Sequence, residues 1–502
     1  MRKEHLTIEN EEEEMPRTPV VTMLACALLW AVTSIGCASR DAYRYEAIKT
    51  EYADLACNLG QSRAAESSTA TCAVNGDLTL QDVLDIARAN NPDLLMAVAR
   101  IERARAMLGK SAAPFYPQVN VYTEYLQGDA PSAYLFKSID QRKLPPGTDF
   151  NDPGWFENYE SGVSAGINLF NGGRDGLNRE MAKTDLTISQ LDRDGIENQV
   201  MAAAIGAYYD ILAAANFTTV AEESVETTRS QLRIMEVRFQ AGGALKTDLL
   251  SLRVRMAETE EVLVQSRNRQ RLAKAALAEI LGVEPDVPFG VVDAQAHAVD
   301  IPEDPFSALD YALIHRPELA SVREKLRRSK MAVDASRAGY LPQVDFMTRY
   351  YADDPDMKYS SNRDNWTAGL YLNWKIFDGF ATASDRAEAL SQLQETMAAD
   401  RKTLLAVKFD VKRAYLNLNE AQERLKVTAS NVRTARETYE LVKRQYEGGS
   451  ADITRYLEAE LAYSRSRMSE TAAYFDREKS RAQIARAIGH WTGSLETGAT
   501  EG

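Results

Sequence analysis

The sequence predicts a mostly helical fold with a β-barrel portion, built from two copies of one structural repeat. Two observations predict it. Ordered motifs recur along the chain at nearly constant offsets, and within each copy the hydrophobic period changes from two residues to about three and a half. The chain has 502 residues, of which 45% are hydrophobic and 26% charged, so it can bury a sizeable core.

Six motif pairs define the repeat. Three pairs lie 225 positions apart and three lie 207 apart: 84–87 with 309–312, 91–94 with 316–319, 116–119 with 341–344, 169–172 with 376–379, 239–242 with 446–449, and 281–282 with 488–489. They predict a first repeat over 78–282, a linker over 283–304 and a second repeat over 305–491. The offset falls by 18, so the first repeat has 18 additional residues, which we predict as an exposed loop within 127–158.

Alternation with a period of two predicts four strands, in hairpins over 117–170 and 342–377. In the first strand Val119, Val121, Thr123 and Tyr125 share one face, and the four strands are predicted over 118–125, 163–169, 343–350 and 366–376. Each approaches the ~9–11 residues that cross a bilayer. Four strands cannot close a barrel and lipid tolerates no free edge, so a membrane location requires several chains. A soluble, half-buried sheet would show the same alternation.

After each hairpin the period becomes helical. Between Leu404 and Tyr446, small and apolar residues recur every three or four positions for six heptads, and the same frame recurs 207 positions earlier. A helix over 380–446 would be about 100 Å long at 1.5 Å per residue. Four glycines are predicted to turn the chain at two helical tips: Gly242, Gly243, Gly448 and Gly449. Thr247 and Thr454 are predicted to restart the helices after these turns.

The N-terminus predicts export. Arg17, the apolar run over 20–32 and the small residues before Cys37 have the order of a signal peptide over 1–37. Gly-Cys at its end makes Cys37 a candidate lipobox cysteine; an ordinary signal peptide with an incidental cysteine is the alternative. Translation could begin at Met1 or at Met15.

Segments outside the repeats carry two further predictions. Residues 38–77 are predicted to be an N-terminal segment and linker, in which Cys57 and Cys72 are candidates for a disulfide, as in exported proteins. Residues 492–502 are predicted to be a disordered C-terminal tail.

Charge and motif content disfavour several function classes. The formal net charge of −14 disfavours a nucleic-acid binder and fits a surface or channel that favours cations. The histidines, His5, His297, His315 and His490, do not cluster at metal-ligand spacing, so no metal site is predicted. No recognisable catalytic motif occurs, so we predict no enzyme activity and no cofactor.

These features resemble the TolC-type outer-membrane efflux proteins. The resemblance covers roughly 78–491 and rests on the paired helix starts at 80–87 and 308–312, the two Pro-Gln-Val motifs, the paired Phe-Asn-Gly and Phe-Asp-Gly motifs, and the two glycine-bearing tips. It implies a homotrimer in outer-membrane lipid, with a twelve-stranded barrel and a twelve-helix periplasmic tunnel. It also implies a periplasmic adaptor and an inner-membrane pump of the RND or ABC type, for tripartite efflux or type I secretion.

The resemblance also implies a gate at the helical tip. Thr247 and Asp248 fall where one half of a polar latch sits, and Tyr446 falls at its tyrosine partner, whereas Ala451 stands where the latch has arginine. A helix N-terminal carboxylate stabilised by the helix dipole is an equal alternative for Asp248.

Two further tip positions correspond to acidic rings at the narrowest point in the family. Glu458 keeps the negative charge, but Arg455 reverses it. We therefore predict an altered ion preference at the constriction.

One other function remains open from the sequence. A coiled-coil structural or adaptor protein of the periplasm, without a pore, would explain the helices but not the four strands and the signal peptide.

Overall fold

A computed structural model gives the fold of the chain. It describes residues 48, 50, 76–292, 301–359 and 363–491. All elements named below belong to one compact unit, Cys72–Gly502. The predictions for the signal peptide, Cys37, the Cys57–Cys72 pair and the tail over 492–502 lie outside the described residues.

The first repeat contains two short helices, a β-hairpin and a long helical hairpin. Its elements are β1 (Gly76–Leu78), α1 (Leu80–Asn90), α2 (Pro92–Ser111), β2 (Gln118–Gly128), α3 (Pro131–Asp140), β3 (Phe156–Phe170), α4 (Arg174–Gln240) and α5 (Lys246–Ile280). A capping box at Thr79 and Asp82 starts α1, and the Asn91 side chain together with Pro92 starts α2.

The second repeat has the same order without a counterpart of α3. Its elements are α6 (Pro305–His315), α7 (Pro317–Ser336), β5 (Gln343–Asp354), β6 (Asp364–Asn373), α8 (Ala381–Glu447) and α9 (Ile453–Ile488), and β4 (Phe289–Val291) precedes them. The long helices α4 and α8 both have 67 residues. Each is therefore about 100 Å long, and the predicted long helices are observed.

The four long strands form one antiparallel sheet in the order β2-β3-β5-β6. The helices that continue from them lie side by side in the matching order α2, α4, α7, α8. Further along, α5 packs on α4 and α9 packs on both long helices, which places the two tips at the end remote from the sheet. In the described residues β2 and β6 each have one unpaired edge.

The two faces of the sheet differ in chemistry. One face is apolar and exposed, with Val121 82%, Trp366 74% and Leu370 68% exposed. The opposite face is polar or small, because its cross-strand neighbours include Asn120 and Ser164, and Asn168 and Asp345. Gly162 is required in this sheet, since an added Cβ would lie 2.6 Å from the Tyr350 carbonyl oxygen.

The long-helix seam is buried along most of α4 and along part of α8, where its positions from Leu425 to Tyr439 are half-buried. The buried seam residues of α4 are Val200, Ala204, Ala207, Ile211, Ala214, Thr218, Ala221, Val225, Thr228 and Met235. Those of α8 are Val407, Val411, Ala414, Leu418, Ala421 and Val442. One apolar window of α4 has the length and composition of a membrane span, but 56% of that window is buried against its neighbours, as in a packed core helix.

The structure differs from the sequence predictions within the first hairpin and the fourth strand. The segment predicted as a loop over 127–158 contains the ten-residue helix α3, which Pro131 starts. The fourth strand ends at Asn373 rather than at 376, because Asn373 pairs with Gln343 and the preceding Pro342 has no N–H to extend the ladder.

A small parallel sheet was not predicted. β1 and β4 pair from Gly76 with Phe289 to Leu78 with Val291, within segments assigned mainly to linkers. Three residues per strand are too short for alternation to be recognised.

Candidate functional site at the helical tip

Each tip turn depends on one glycine in the left-handed region. The turn between α4 and α5 has Gly242 at φ +77°, and the turn between α8 and α9 has Gly449 at φ +75°. Gly243 and Gly448 do not take a positive φ. Only one glycine of each predicted pair therefore needs its conformational freedom.

The helices after the turns do not restart at the predicted threonines. The N-cap of α9 is Asp452, whose Oδ1 accepts the backbone N–H of Arg455 at 2.8 Å, and α5 begins after Leu245 without a side-chain cap. Thr247 and Thr454 lie within the first turns, so this prediction was wrong. Asp452 was a better candidate, since Asp is a favoured N-cap residue.

An apolar cluster joins the two helical hairpins at the tip. It takes buried residues from all four helices: Met235, Leu249, Leu252, Val442, Ile453, Tyr456 and Ala459. Because these helices belong to two different repeats, the cluster must be broken if the tips of the two hairpins separate.

Tyrosine rings extend this cluster along α8 and α9. The Tyr446 and Tyr456 rings stack with centroids 5.2 Å apart, and those of Tyr439 and Tyr463 stack at 5.6 Å. The Tyr439 and Tyr456 hydroxyls are 3.3 Å apart. Burial, and then the contact with Tyr439, raises the pKa of the Tyr456 hydroxyl, which stays neutral at physiological pH.

Of the predicted latch residues, Asp248 lies near enough to Tyr446 to influence the pKa of its hydroxyl. Burial raises the pKa of its hydroxyl, the Arg238 cation opposes that rise, and the Asp248 carboxylate adds to it. The Arg238 guanidinium lies 5.9 Å from the centre of the Tyr446 ring. The Thr247 hydroxyl donates to Asp248 Oδ1 at 3.4 Å. Asp248 also lies in the first turn of α5, where the helix dipole favours a carboxylate, so both interpretations of Asp248 remain open.

The two predicted ring residues lie on the exposed side of α9. Arg455 and Glu458 are both exposed, one turn apart. Neither belongs to the apolar cluster. Their side chains are therefore accessible to solvent in the single chain.

A buried polar network near the tip was missed by the sequence analysis. Arg255 Nη2 of α5 donates to Glu460 Oε2 of α9 at 2.8 Å. Glu460 Oε1 accepts hydrogen bonds from Ser224 of α4 at 2.7 Å and from Ser464 of α9 at 2.9 Å. The Arg255 and Glu460 side chains are only 11% and 5% exposed. This ion pair links the two hairpins inside the bundle.

A sequence signal for this network existed. Glu460 continues the spacing of Ile453 and Tyr456, three and then four residues on, so a carboxylate falls on the buried stripe of α9. A charged residue on such a stripe indicates a buried partner, because an unpaired buried charge is costly.

The tip can hold two hairpins together, but its chemistry does not suggest a bound metal. In the described part of the chain, no group of three or more His, Cys, Asp or Glu side chains is arranged to hold a metal ion. What the tip offers is an interface of tyrosine rings, apolar side chains and the buried ion pair of Arg255 with Glu460.

Comparison with known proteins identifies the family. A family model described as outer membrane efflux protein matches residues 83–283 and 308–490. Protein CyaE of Bordetella pertussis is 26% identical over 349 residues, which cover 69% of this chain and 70% of that protein. The pyoverdine export outer membrane protein OpmQ of Pseudomonas aeruginosa is 22% identical over 383 residues, covering 76% of this chain and 78% of that protein.

A solved structure shares the fold. The crystal structure of the Campylobacter jejuni CmeC outer membrane channel superposes with a TM-score of 0.72 at 17% identity, covering 82% of this chain and 85% of that chain. The two segments matched by the family model correspond closely to the two repeats and together span most of the sequence. The chain therefore belongs to the outer membrane efflux protein family.

Proposed function

We propose that three copies of this chain form an exit duct through the outer membrane, with the sheet in the bilayer and the long helices in the periplasm. The duct passively conducts cargo delivered by an inner-membrane pump through a periplasmic adaptor. The observation that carries the proposal is an apolar, exposed sheet face on a sheet with two unpaired edges.

The sheet supports an assembly. Lipid cannot satisfy the backbone groups of the β2 and β6 edges, so a membrane sheet of this kind must close on itself. Four strands are fewer than the eight of the smallest membrane barrels. Pairing β6 of one copy with β2 of the next closes the sheet, and the family resemblance supplies the number three, which gives twelve strands.

The flanking helices support the same assembly. α2 and α8 stand at the two ends of the helix row, and each has large apolar residues exposed to solvent. On α2 they are Leu95, Met96, Val98 and Met107, and on α8 they are Met397, Leu405, Phe409 and Leu416. Packing α8 of one copy against α2 of the next would cover both faces and close a helical tunnel.

Apolar residues near the tip suit an adaptor. Val237 on α4, and Leu250 and Val254 on α5, are exposed beside the turn between these helices. A partner that presents an amphipathic helix would bury them. We propose that this surface receives the adaptor, and that the contacts of Tyr446, Asp248 and Thr247 close the tip until the adaptor binds.

Two N-terminal features complete the proposal. Lipidation of Cys37 would anchor the mature chain in the membrane, and a Cys57–Cys72 disulfide would brace the segment before the first repeat. Mass spectrometry of the mature protein, with and without reduction, tests both.

The alternative of a coiled-coil periplasmic protein without a pore does not fit the family, which is one of outer-membrane efflux. Members of a transport family are expected to move cargo rather than to catalyse a reaction, so we propose no enzyme activity for this chain.

A pair of lysine substitutions on β6 tests membrane insertion. Leu370 lies on the apolar face, and its neighbour Tyr371 lies on the polar face opposite Asp345. Leu370→Lys should cost about 2–4 kcal/mol if it meets the bilayer midplane, whereas Tyr371→Lys should be tolerated. The measurement is the amount of heat-sensitive trimer extracted from outer membranes by detergent. Equal tolerance of both variants, or recovery of the wild type in the soluble fraction, would contradict the proposal.

A further inference from the structure

We infer that the segment inserted in the first β-hairpin is an inward-folded lid, which narrows the outer mouth of the duct and limits the size of solutes that pass. The lid comprises α3 and the residues that join it to β2 and β3, numbered 129–155. The inference rests on the proposed function, because it takes the polar face of the sheet to line the pore.

Lys137 anchors the lid to the polar face. Its Nζ lies 2.5 Å from Glu160 Oε2 on β3 and 2.9 Å from Asp353 Oδ1 on β5. Glu160 and Asp353 are cross-strand partners and point to the same side of the sheet. Both carboxylates are buried, and the lysine side chain is only 18% exposed. Glu160 also pairs with Arg349, whose Nη2 lies 2.6 Å from Glu160 Oε1. The fully buried Asp353 carboxylate therefore depends most on Lys137, because a buried acid is destabilised when its cation is removed.

Three other contacts bring the lid onto the same face. The Gln141 side chain donates to Asn158 Oδ1 at 2.8 Å, and the Arg142 guanidinium donates to Asn365 Oδ1 at 3.1 Å. The Tyr134 ring packs edge-on against Phe156 with centroids 6.4 Å apart.

The alternation of side chains along the strands shows that these contacts lie on one face of the sheet. Residues 156, 158 and 160 alternate with the positions that point to the other face of β3. Asn365 pairs with Tyr351, two residues from Asp353 on β5, and so lies on the same face. The lid thus crosses β3, β5 and β6 on their polar side, and the apolar side remains uncovered for lipid.

The lid is large enough to narrow the interior of a twelve-stranded barrel. A barrel of eight strands is filled by its own side chains, whereas sixteen or more strands leave an open channel. Twelve strands lie between these limits, and a helix with its side chains is about 10 Å across. Three such helices, one from each copy, would therefore occupy much of the outer mouth. The second hairpin has no counterpart, because only the residues 355–363 connect its strands.

Channel recordings with two variants test the lid. Lys137→Met removes the anchor charge, and a second variant replaces residues 129–155 with the shorter connection of the second hairpin. Lys358→Met is the matched control, because it removes one positive charge from an exposed position in the connection of the second hairpin. The readouts are single-channel conductance in planar bilayers and entry of a bulky glycopeptide antibiotic into cells. Trimer content on unheated gels verifies assembly of each variant.

The lid predicts a higher conductance and greater antibiotic entry for both lid variants, and wild-type values for Lys358→Met. Assembled channels with wild-type conductance in the lid-replacement variant would overturn the lid while leaving the duct intact. A rise in the replacement variant with no change in Lys137→Met would overturn Lys137 as the anchor. A wild-type protein that forms no channel would instead refute the proposed duct, so the two failures are distinguishable.

Discussion

Arg255 and Glu460, which are 205 residues apart in sequence, form a buried ion pair between the two helical hairpins, with Nη2 and Oε2 separated by 2.8 Å. The family resemblance implies a latch arginine at the position where this chain has Ala451. The pair provides a charged contact between the two hairpins deeper in the bundle, and the Ser224 hydroxyl of α4 donates to Glu460 Oε1. We therefore expect Arg255 and Glu460 to hold the tip closed together with the contacts proposed around Tyr446.

Removing the arginine should open the tip. Arg255→Met leaves Glu460 buried and unpaired, which typically costs about 3–5 kcal/mol. Separation of the hairpins would let water reach the carboxylate, so we expect a larger open fraction in single-channel recordings.

Two further variants control this experiment. Arg253→Met removes an exposed pair with Glu236, whose side chains are 56% and 41% exposed, and should change little because such pairs contribute about 0–1 kcal/mol. The double variant Arg255→Met with Glu460→Met should recover part of the closed fraction, since neither charge of the buried pair is left. An open fraction that rises equally for Arg253→Met and Arg255→Met would rule out the buried pair as the closing contact.

Two substitutions of Tyr446 distinguish closure of the tip by packing of its ring from closure by hydrogen bonding of its hydroxyl. Tyr446→Phe keeps the stack on Tyr456 and the contact with Arg238, whereas Tyr446→Ala removes both. We expect Phe to behave like the wild type and Ala to open the channel, at a cost below the about 3–5 kcal/mol of a fully buried ring. If Phe opens the channel as much as Ala, the hydroxyl and its polar neighbours close the tip instead. Channel open fraction is again the measurement.

Arg455 should set the ion preference of the tip. The exposed cation stands where the family resemblance implies an acidic ring, so in the proposed trimer three copies would weaken cation selection at the constriction. Arg455→Asp should therefore shift the reversal potential in a salt gradient toward cation selectivity. Arg465→Asp, which makes the same charge change further along α9, should produce a smaller shift. An unchanged reversal potential in Arg455→Asp would show that this residue does not line the constriction.

The lid should remain anchored far into the alkaline range. The carboxylates of Glu160 and Asp353 outweigh the effect of burial and raise the pKa of Lys137 to about 12. The anchor therefore contributes fully below the ordinary lysine pKa of about 10.4 and is lost only as pH rises through the folded value. Between pH 7 and 10, the conductance of the wild type should change only as much as that of the lid-replacement variant, which has no Lys137 anchor. A rise specific to the wild type in this interval would contradict the assigned anchor.

Periodicity explains why so much of the fold could be predicted. The seam from Val407 to Val442 and its counterpart on α4 repeat a local pattern over many turns, so each residue supports the same interpretation. The duplication adds a second check on the predicted fold, because equivalent residues of the two repeats should make equivalent contacts. For example, Tyr208 donates to the Val292 carbonyl and Tyr415, 207 positions later, donates to the Pro302 carbonyl.

Contacts between distant residues could not be predicted in this way. Arg255 and Glu460 belong to different repeats and have no symmetric counterparts, so neither local period nor duplication points to their pairing. α3 is short and lies among Gly, Pro and Asp residues, a composition that indicates a loop. Lys137 and Gln141 hold this segment on the sheet through partners that come near only when the sheet has folded.

Three glycines with positive φ differ in how closely neighbouring backbone approaches them, so alanine substitutions should destabilise the protein to different degrees. Gly282 ends its repeat at φ +67°, and an added Cβ would lie 2.3 Å from the Asn90 carbonyl oxygen. Its counterpart Gly489 has φ +80° and a corresponding distance of 2.9 Å from the His315 carbonyl oxygen, whereas Gly242 at φ +77° has no neighbour within 4 Å. Alanine carries the left-handed backbone cost of about 1–2 kcal/mol at all three positions.

Only the first two positions add a clash with backbone. The temperature at which the oligomer dissociates should therefore fall most for Gly282→Ala, less for Gly489→Ala and least for Gly242→Ala. The clash at Gly282 involves backbone that cannot rotate away, so relieving it requires the corner between α1 and α2 to move. Equal losses at Gly282 and Gly242 would mean that backbone conformation alone, and not the packing of α5 against that corner, makes glycine necessary there.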